Sequence, residues 1–228
     1  MLILSVDSSS QAATAALICD GELLCEYTQN QKKTHSVKML PMIEQMLSDV
    51  DVTMSEIDFF VCGIGPGSFT GLRIGVATVR GFAETLGKEC VPVNSLEALS
   101  NNVSGFNGLI FSLISARENE CYCAVYENGK EIIAPCVLTI EEICQRASDM
   151  PCMFVGDGAV LNYELLRKNV KCAHFTTNRN NMISSASIGE VGYRKILEGN
   201  ASSCESLVPL YLRKSQAERE YDEKHKND

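Results

Sequence analysis

Gly63-Ile64-Gly65-Pro66-Gly67-Ser68-Phe69-Thr70-Gly71-Leu72-Arg73-Ile74-Gly75 is the stretch on which the fold turns. It follows the apolar run Phe59-Phe60-Val61-Cys62, which reads as a strand over 58–62. It precedes residues 69–86, which read as a helix. Backbone N–H groups at such a strand-to-helix junction can hold an anion. No lysine follows the glycines, however, so this is not a Walker A loop, and the Gly-x-Gly-x-x-Gly spacing is absent. The plainer reading is a tight turn feeding a helix whose glycines permit close approach. Glycine in a helix interior costs about 1 kcal/mol against alanine. Close helix-to-helix contact at Gly71 and Gly75 is the expected compensation.

Residues 35–48 supply the matching helix. Val37, Leu40, Ile43 and Leu47 make one apolar stripe, and Met39, Met42 and Met46 a second beside it. A helix lying on a sheet needs only one such stripe. Methionine suits an adaptable interface, so the helices 35–48 and 69–86 are expected to form an exposed pair that docks a partner. Pro41 falls inside the first of them, where proline bends a helix.

Around this pair the chain alternates in a regular order. Residues 2–6, 12–19 and 22–28 read as strands, with Asp20-Gly21 as a hairpin turn. Ser55 is expected to cap a short turn. Val91-Pro92-Val93 is a further strand, and Ser95 caps a helix through about residue 102. The second half repeats the order: strands at 108–115, 121–126 and 131–137, with Asn128-Gly129 as a turn. Thr139 and Glu142 then form a capping box for a helix. A strand at 152–155, a helix at 158–168, a strand at 171–175 and a helix at 185–198 complete it. Strands that pair antiparallel and then feed β-α-β-α units predict a mixed sheet flanked by helices. The expected division is a first lobe at 1–103, a second at 104–204, and a polar helix or tail at 205–228.

Composition excludes several classes. The chain has 228 residues, 45% of them hydrophobic and 21% charged, which is ordinary globular usage. Its formal net charge of −9 argues against unaided binding to a polyphosphate backbone. No run approaches the roughly 18 apolar residues of a membrane span. The opening Met1-Leu2-Ile3-Leu4-Ser5-Val6-Asp7 lacks a basic region and reads as a strand, not a signal peptide. A cytoplasmic protein is expected. The 11 cysteines include no Cys-x-x-Cys pair and sit mostly in apolar runs, so they read as reduced, buried small hydrophobes.

Few residues carry chemistry on their own. Asp7-Ser8-Ser9-Ser10 lies between the first two strands, where a carboxylate and hydroxyls can face a nucleotide or form an ordinary Asx turn. His35 would need a metal partner one turn on, and Lys38 and Met39 stand there, so no metal is expected. No Ser-His-Asp or Cys-His set can be assembled. Asp157, in Gly156-Asp157-Gly158, is expected to cap the helix that follows it.

The segments Leu4-Ser5-Val6-Asp7-Ser8-Ser9, Thr34-His35-Ser36 with Leu40-Pro41, Gly65–Gly75 and Pro209-Leu210-Tyr211-Leu212-Arg213 together resemble the TsaB (YeaZ) family over nearly the whole chain. The resemblance implies the actin-like ATPase (ASKHA; sugar kinase and Hsp70) fold, with two lobes each built on a mixed sheet. It implies a role in making threonylcarbamoyladenosine beside the tRNA anticodon. In that family the transfer chemistry belongs to a larger paralogue, TsaD; TsaB is its partner, and a small ATPase, TsaE, joins the pair. The paralogue's metal-binding histidine pair reads His35 and Met39 here, which implies loss of the metal. Where family members often carry Asp-Ala-Arg, this chain has Ser115-Ala116-Arg117.

The function expected from all this is a non-catalytic subunit with no cofactor of its own. Its partner surface is expected at His35, Met39, Met42, Met46, Phe69, Thr70, Leu72, Arg73, Gly75, Val76 and Val79. Asp7, Ser8 and Ser9 are the residues placed to face a nucleotide. The expected partners are a TsaD-like paralogue and a TsaE-like ATPase, with self-pairing as a homodimer and tRNA reached only through the complex. A charge at Gly75 or Met42 is expected to break the complex without unfolding the chain. The competing readings are an independent small kinase or ATPase of the same superfamily and an M22-type peptidase.

Overall fold

The structure is a computed structural model that describes residues 1–30, 35–147 and 149–213, with the side chains of His35 and Ser36 outside that description. Two five-stranded mixed sheets form its frame. In the first, β1 (Leu2–Asp7), β2 (Ala13–Cys19) and β3 (Glu22–Gln29) are followed by β4 (Phe59–Gly63) and β5 (Glu89–Val93). Their order is β3-β2-β1-β4-β5. The first three strands run antiparallel, and β4 and β5 join parallel to β1. The expected hairpin turn is present, with Asp20 at φ 50° and Gly21 at φ 88°.

Helices α1 (His35–Asp49), α2 (Phe69–Leu86) and α3 (Ser95–Asn101) belong to this half. The second sheet comprises β6 (Leu109–Arg117), β7 (Glu120–Glu127), β8 (Lys130–Thr139), β9 (Cys152–Val155) and β10 (Ala173–Phe175), in the order β10-β9-β6-β7-β8. Its helices are α4 (Ile140–Arg146), α5 (Asp157–Leu161) and α6 (Tyr163–Asn169), and α7 (Ser185–Leu197) follows β10.

Local chemistry moves some element ends from their expected places. The cap of α3 is Asn94, whose side chain accepts from Leu96 N at 2.8 Å. Ser95 is the first helical residue instead, and its hydroxyl turns toward Ser9 at 3.2 Å. Thr53 with Glu56, not Ser55, makes the capping box of the 3₁₀ turn Met54–Glu56. The helix expected over 158–168 breaks at Asn162, whose amide donates to the Gly158 carbonyl at 2.9 Å. Helix α1 runs through Pro41 without interruption.

Three apolar layers hold the sheets together. One lies under α1 and α2 against the first sheet and includes Leu4, Leu17, Met39, Met42, Met46, Phe60 and Val79. The second lies between the sheets and joins Ile3, Val61 and Val91 to Leu96, Ile114, Tyr122 and Ile188. The third backs the second sheet with Phe111, Phe154, Ile143 and Leu166. Helix α7 falls within the 104–204 stretch but packs on β1, β2, β4 and β5. Gly189 and Gly192 make that possible, because a side chain on either would run into Ile18 and Ser5 or into Val61. Successive positions thus face opposite sides of the sheet as a pleated strand requires, Ile3 in the middle layer and Leu4 and Val6 in the first, and the middle layer ties the halves into one body.

Candidate functional site

The turn after β1 and the glycine-rich loop before α2 are packed on each other. Asp7 Oδ1 accepts from the Ser9 backbone N–H and hydroxyl, both at 2.9 Å. The Ser8 hydroxyl donates to the Gly71 carbonyl at 2.7 Å, and Ser68 N donates to Ser9 O at 2.7 Å. A β-carbon on Gly63 would overlap the Asp7 carboxylate, one on Gly67 the Ser9 carbonyl, and one on Gly71 the Ser8 carbonyl. At Gly75 it would stand 2.6 Å from the Ser8 hydroxyl. Gly71 and Gly75 therefore admit the β1–β2 turn, not a neighbouring helix. That corrects the helix-to-helix expectation, and the physical reason is that the Ser8 carbonyl and hydroxyl fill the space beside these two glycines.

Asp7 is fully buried, and its Oδ2 has no hydrogen-bond partner. Burial lifts its carboxyl to about 6, against the two Ser9 hydrogen bonds that pull it down. A cleft of about 950 Å³ opens between the halves. The first half lines it with Ser9, Ser10, Gly67, Ser68 and Phe69, and the second with Ser115, Arg117, Tyr122, Asp157 and Asn181. Ser9 reaches this cleft. Asp7 and Ser8 lie behind it, sealed by the glycine loop. Asp157 does not act as a simple cap: the helix N-cap is Gly156, and Asp157 Oδ1 accepts from Ser115 N at 3.0 Å. Burial raises its carboxyl above the ordinary value. Asn181, which sequence reading passed over, holds Gly156 N at 2.9 Å.

Helices α1 and α2 both pack on the first sheet over one apolar layer, and their outward residues differ from the expected set. Met39, Met42 and Met46 are buried in the layer beneath α1, and Leu72, Gly75, Val76 and Val79 are buried under α2. The surface of α1 carries Val37, 64% exposed, and Leu40, 46% exposed, with Pro41 beside them. The surface of α2 carries Thr70, Arg73, Ala77 and Arg80, with Phe69 half-buried. The first of the two sequence stripes is thus split, since Ile43 and Leu47 turn inward. A charge at Gly75 or Met42 would disrupt the core itself and cannot serve as a surface probe. The His35 side chain lies outside the described residues, as do the expected tail residues 214–228.

Comparison with known proteins bears on these surfaces. Residues 22–221 match the family model described as TsaD: tRNA N6-adenosine threonylcarbamoyltransferase. The chain is 30% identical to the tRNA threonylcarbamoyladenosine biosynthesis protein TsaB of Bacillus subtilis, over 99% of this chain and 100% of that one. It is 25% identical to the Haemophilus influenzae protein of the same name, over 93% and 94%. Among solved structures it superposes on YeaZ from Pseudomonas aeruginosa with a TM-score of 0.80 at 24% identity, covering 92% and 99%. It also superposes on component A of the Acidaminococcus fermentans (R)-2-hydroxyglutaryl-CoA dehydratase, at 0.54 and 10% over 86% and 99%. The fold is that of the actin-like ATPases, two lobes on two mixed sheets. Among the described residues, no helix is long and apolar enough to cross a membrane.

Proposed function

The chain belongs to the TsaB (YeaZ) family, and from that premise we propose that it is a non-catalytic subunit in tRNA threonylcarbamoyladenosine biosynthesis. The end-to-end match to a TsaB protein carries this reading. In it, the chain docks a TsaD-type catalytic subunit and holds it in an active arrangement, with a TsaE-type ATPase joining them. The docking face is the outer side of α1 and α2. Val37, Leu40 and Pro41 supply exposed apolar surface there, and Arg73, Ala77 and Arg80 flank it. Alone, the chain pairs with itself through the same face. The burial of Asp7 supports a subunit without phosphate chemistry of its own, because the carboxylate of the first turn does not line the cleft. With a net charge of −9, the chain reaches tRNA only within the complex.

Light scattering on a sizing column tests this with the full chain, alone and with the TsaD-type subunit. A one-to-one complex is expected, and Leu40→Glu is expected to weaken it at least tenfold while leaving the unfolding free energy within about 0.5 kcal/mol. Wild-type affinity in Leu40→Glu would move the docking face elsewhere. A folded chain that never binds the catalytic subunit would remove the reading.

A further inference from the structure

The segment after α7 is a sequence motif that the docking reading leaves unused, and it runs from the layer under α2 to the layer between the sheets and on to the second lobe. Leu207 is fully buried under α2 with Val79, Ala83 and Cys90. Leu210 N donates to Ile64 O at 2.8 Å, on the loop that leads into α2. Gly65 holds that loop at φ +100°, a region open to glycine, and a β-carbon there would crowd Leu72 and the Leu210 carbonyl.

The next residue meets the start of α2. The Tyr211 ring stacks on Phe69 with centroids 4.7 Å apart and planes 7° apart. Arg73 Nε donates to the Tyr211 hydroxyl at 3.1 Å. Leu212 then packs into the layer between the sheets. Arg213 crosses to the other lobe, where its guanidinium donates to the Glu120 carboxylate at the β6–β7 turn. Phe69 and Arg213 both line the cleft.

We propose that Leu207–Arg213 is a strap that couples the opening of the cleft to the posture of the Phe69–Arg73 turn, with the Arg213–Glu120 ion pair as its latch at the second lobe. The chain between the two contacts is too short to absorb a displacement. Only Tyr211 and Leu212 lie between the Leu210 contact with the Ile64 carbonyl and the latch at Arg213, and Tyr211 is pinned by a stacked ring. When the second lobe swings away, the latch must release or the ring must slide on Phe69. Either event changes the first turn of α2, which borders the face assigned above to the partner. The coupling itself belongs to the isolated chain and stands or falls apart from that docking reading.

Hydrogen–deuterium exchange on the full chain tests it from both ends. Glu120→Gln removes one half of the latch without touching residues 64–72. It is expected to speed exchange roughly two- to fivefold both at 115–122 and, remotely, at 64–72, as loss of a partly exposed ion pair allows. Tyr211→Ala is expected to do the same at 115–122, although the hydrogen-bond and ring partners of Tyr211 are Arg73 and Phe69. The double exchange of charge, Glu120→Arg with Arg213→Glu, is expected to restore both segments, and residues 163–169, the helix α6, serve as the reference. Faster exchange confined to the segment beside each substitution overturns the coupling. So does a double variant that stays as fast as the single ones.

Discussion

The carbonyl oxygen of Ser8 occupies the space that a β-carbon on Gly71 would need, and the Ser8 hydroxyl donates back to the Gly71 carbonyl at 2.7 Å. The turn after β1 and the first turn of α2 are thus locked by backbone, which cannot yield as a long side chain can. Gly71→Ala should cost roughly 2–4 kcal/mol, in the range of forced overpacking at a buried site. Gly81, on the open side of the same helix, meets nothing within 4 Å, and Gly81→Ala should stabilise by about 0.5–1 kcal/mol. Urea midpoints of the two variants check the pair. Equal and small effects would show that the contact at Ser8 is loose.

Asp7 makes stability depend on pH in a stated direction. Its carboxyl titrates near 6 in the folded chain against 3.8 for the ordinary group. Between those values the folded state holds a proton that the unfolded state has lost, so stability falls as pH rises. Below about 4 both states are protonated and the effect is absent; above about 6 it is complete. Asp7→Asn takes up no proton in this window. Relative to that variant, the wild type should lose on the order of 3 kcal/mol from pH 4 to pH 7. Parallel unfolding curves at all pH values would place the Asp7 carboxylate in contact with water.

Much of this arrangement was legible in the sequence. The continuous apolar runs at 2–6 and 12–19 and the turns at Asp20-Gly21 and Asn128-Gly129 marked the strands and their hairpins, because those turn residues accept positive φ at low cost. The glycines at 71 and 75 also announced a close approach. What they approach was hidden, since the partner is a turn more than sixty residues earlier in the chain. The inward face of α1 was hidden too. Two stripes of similar hydrophobicity differ only in which one the sheet below covers, and that depends on the angle at which the helix lies. What lines the cleft was hidden, because Ser115 sits at the end of β6 while Asn181 and Arg213 come from separate connections that no local pattern joins to it.

The thiols offer a test of that burial. Cys62, Cys90, Cys121, Cys123 and Cys152 are buried, and all 11 cysteines are free. Desolvation raises Cys62 well above the ordinary value and pushes Cys90 and Cys121 up to about 12. Only thiolate reacts with a disulfide reagent. At pH 8 the native chain should therefore show at most six fast thiols with Ellman's reagent, and the remaining five only as fast as the protein opens. Eleven fast thiols under native conditions would contradict the layered core.

Glu26 ties the edge of the first sheet to the helix that lies between the lobes. Its Oε1 accepts from the Ser184 hydroxyl at 2.7 Å and from Ala186 N at 3.0 Å, at the first turn of α7. Ser184 is the cap of that helix and accepts from Ser187 N. A carboxylate here answers two free donors and the positive end of a 13-residue helix. Glu26→Gln keeps an acceptor and loses the charge, so it should cost about 1 kcal/mol; Glu26→Ala leaves Ala186 N unanswered and should cost roughly 2–3 kcal/mol. Combining Glu26→Gln with Ser184→Ala should cost less than the two changes measured singly, with a coupling of about 0.5 kcal/mol or more. Thermal unfolding of the four chains measures it. Strict additivity would mean that Glu26 and Ser184 act on α7 independently, and that the sheet edge does not hold the helix through this cap.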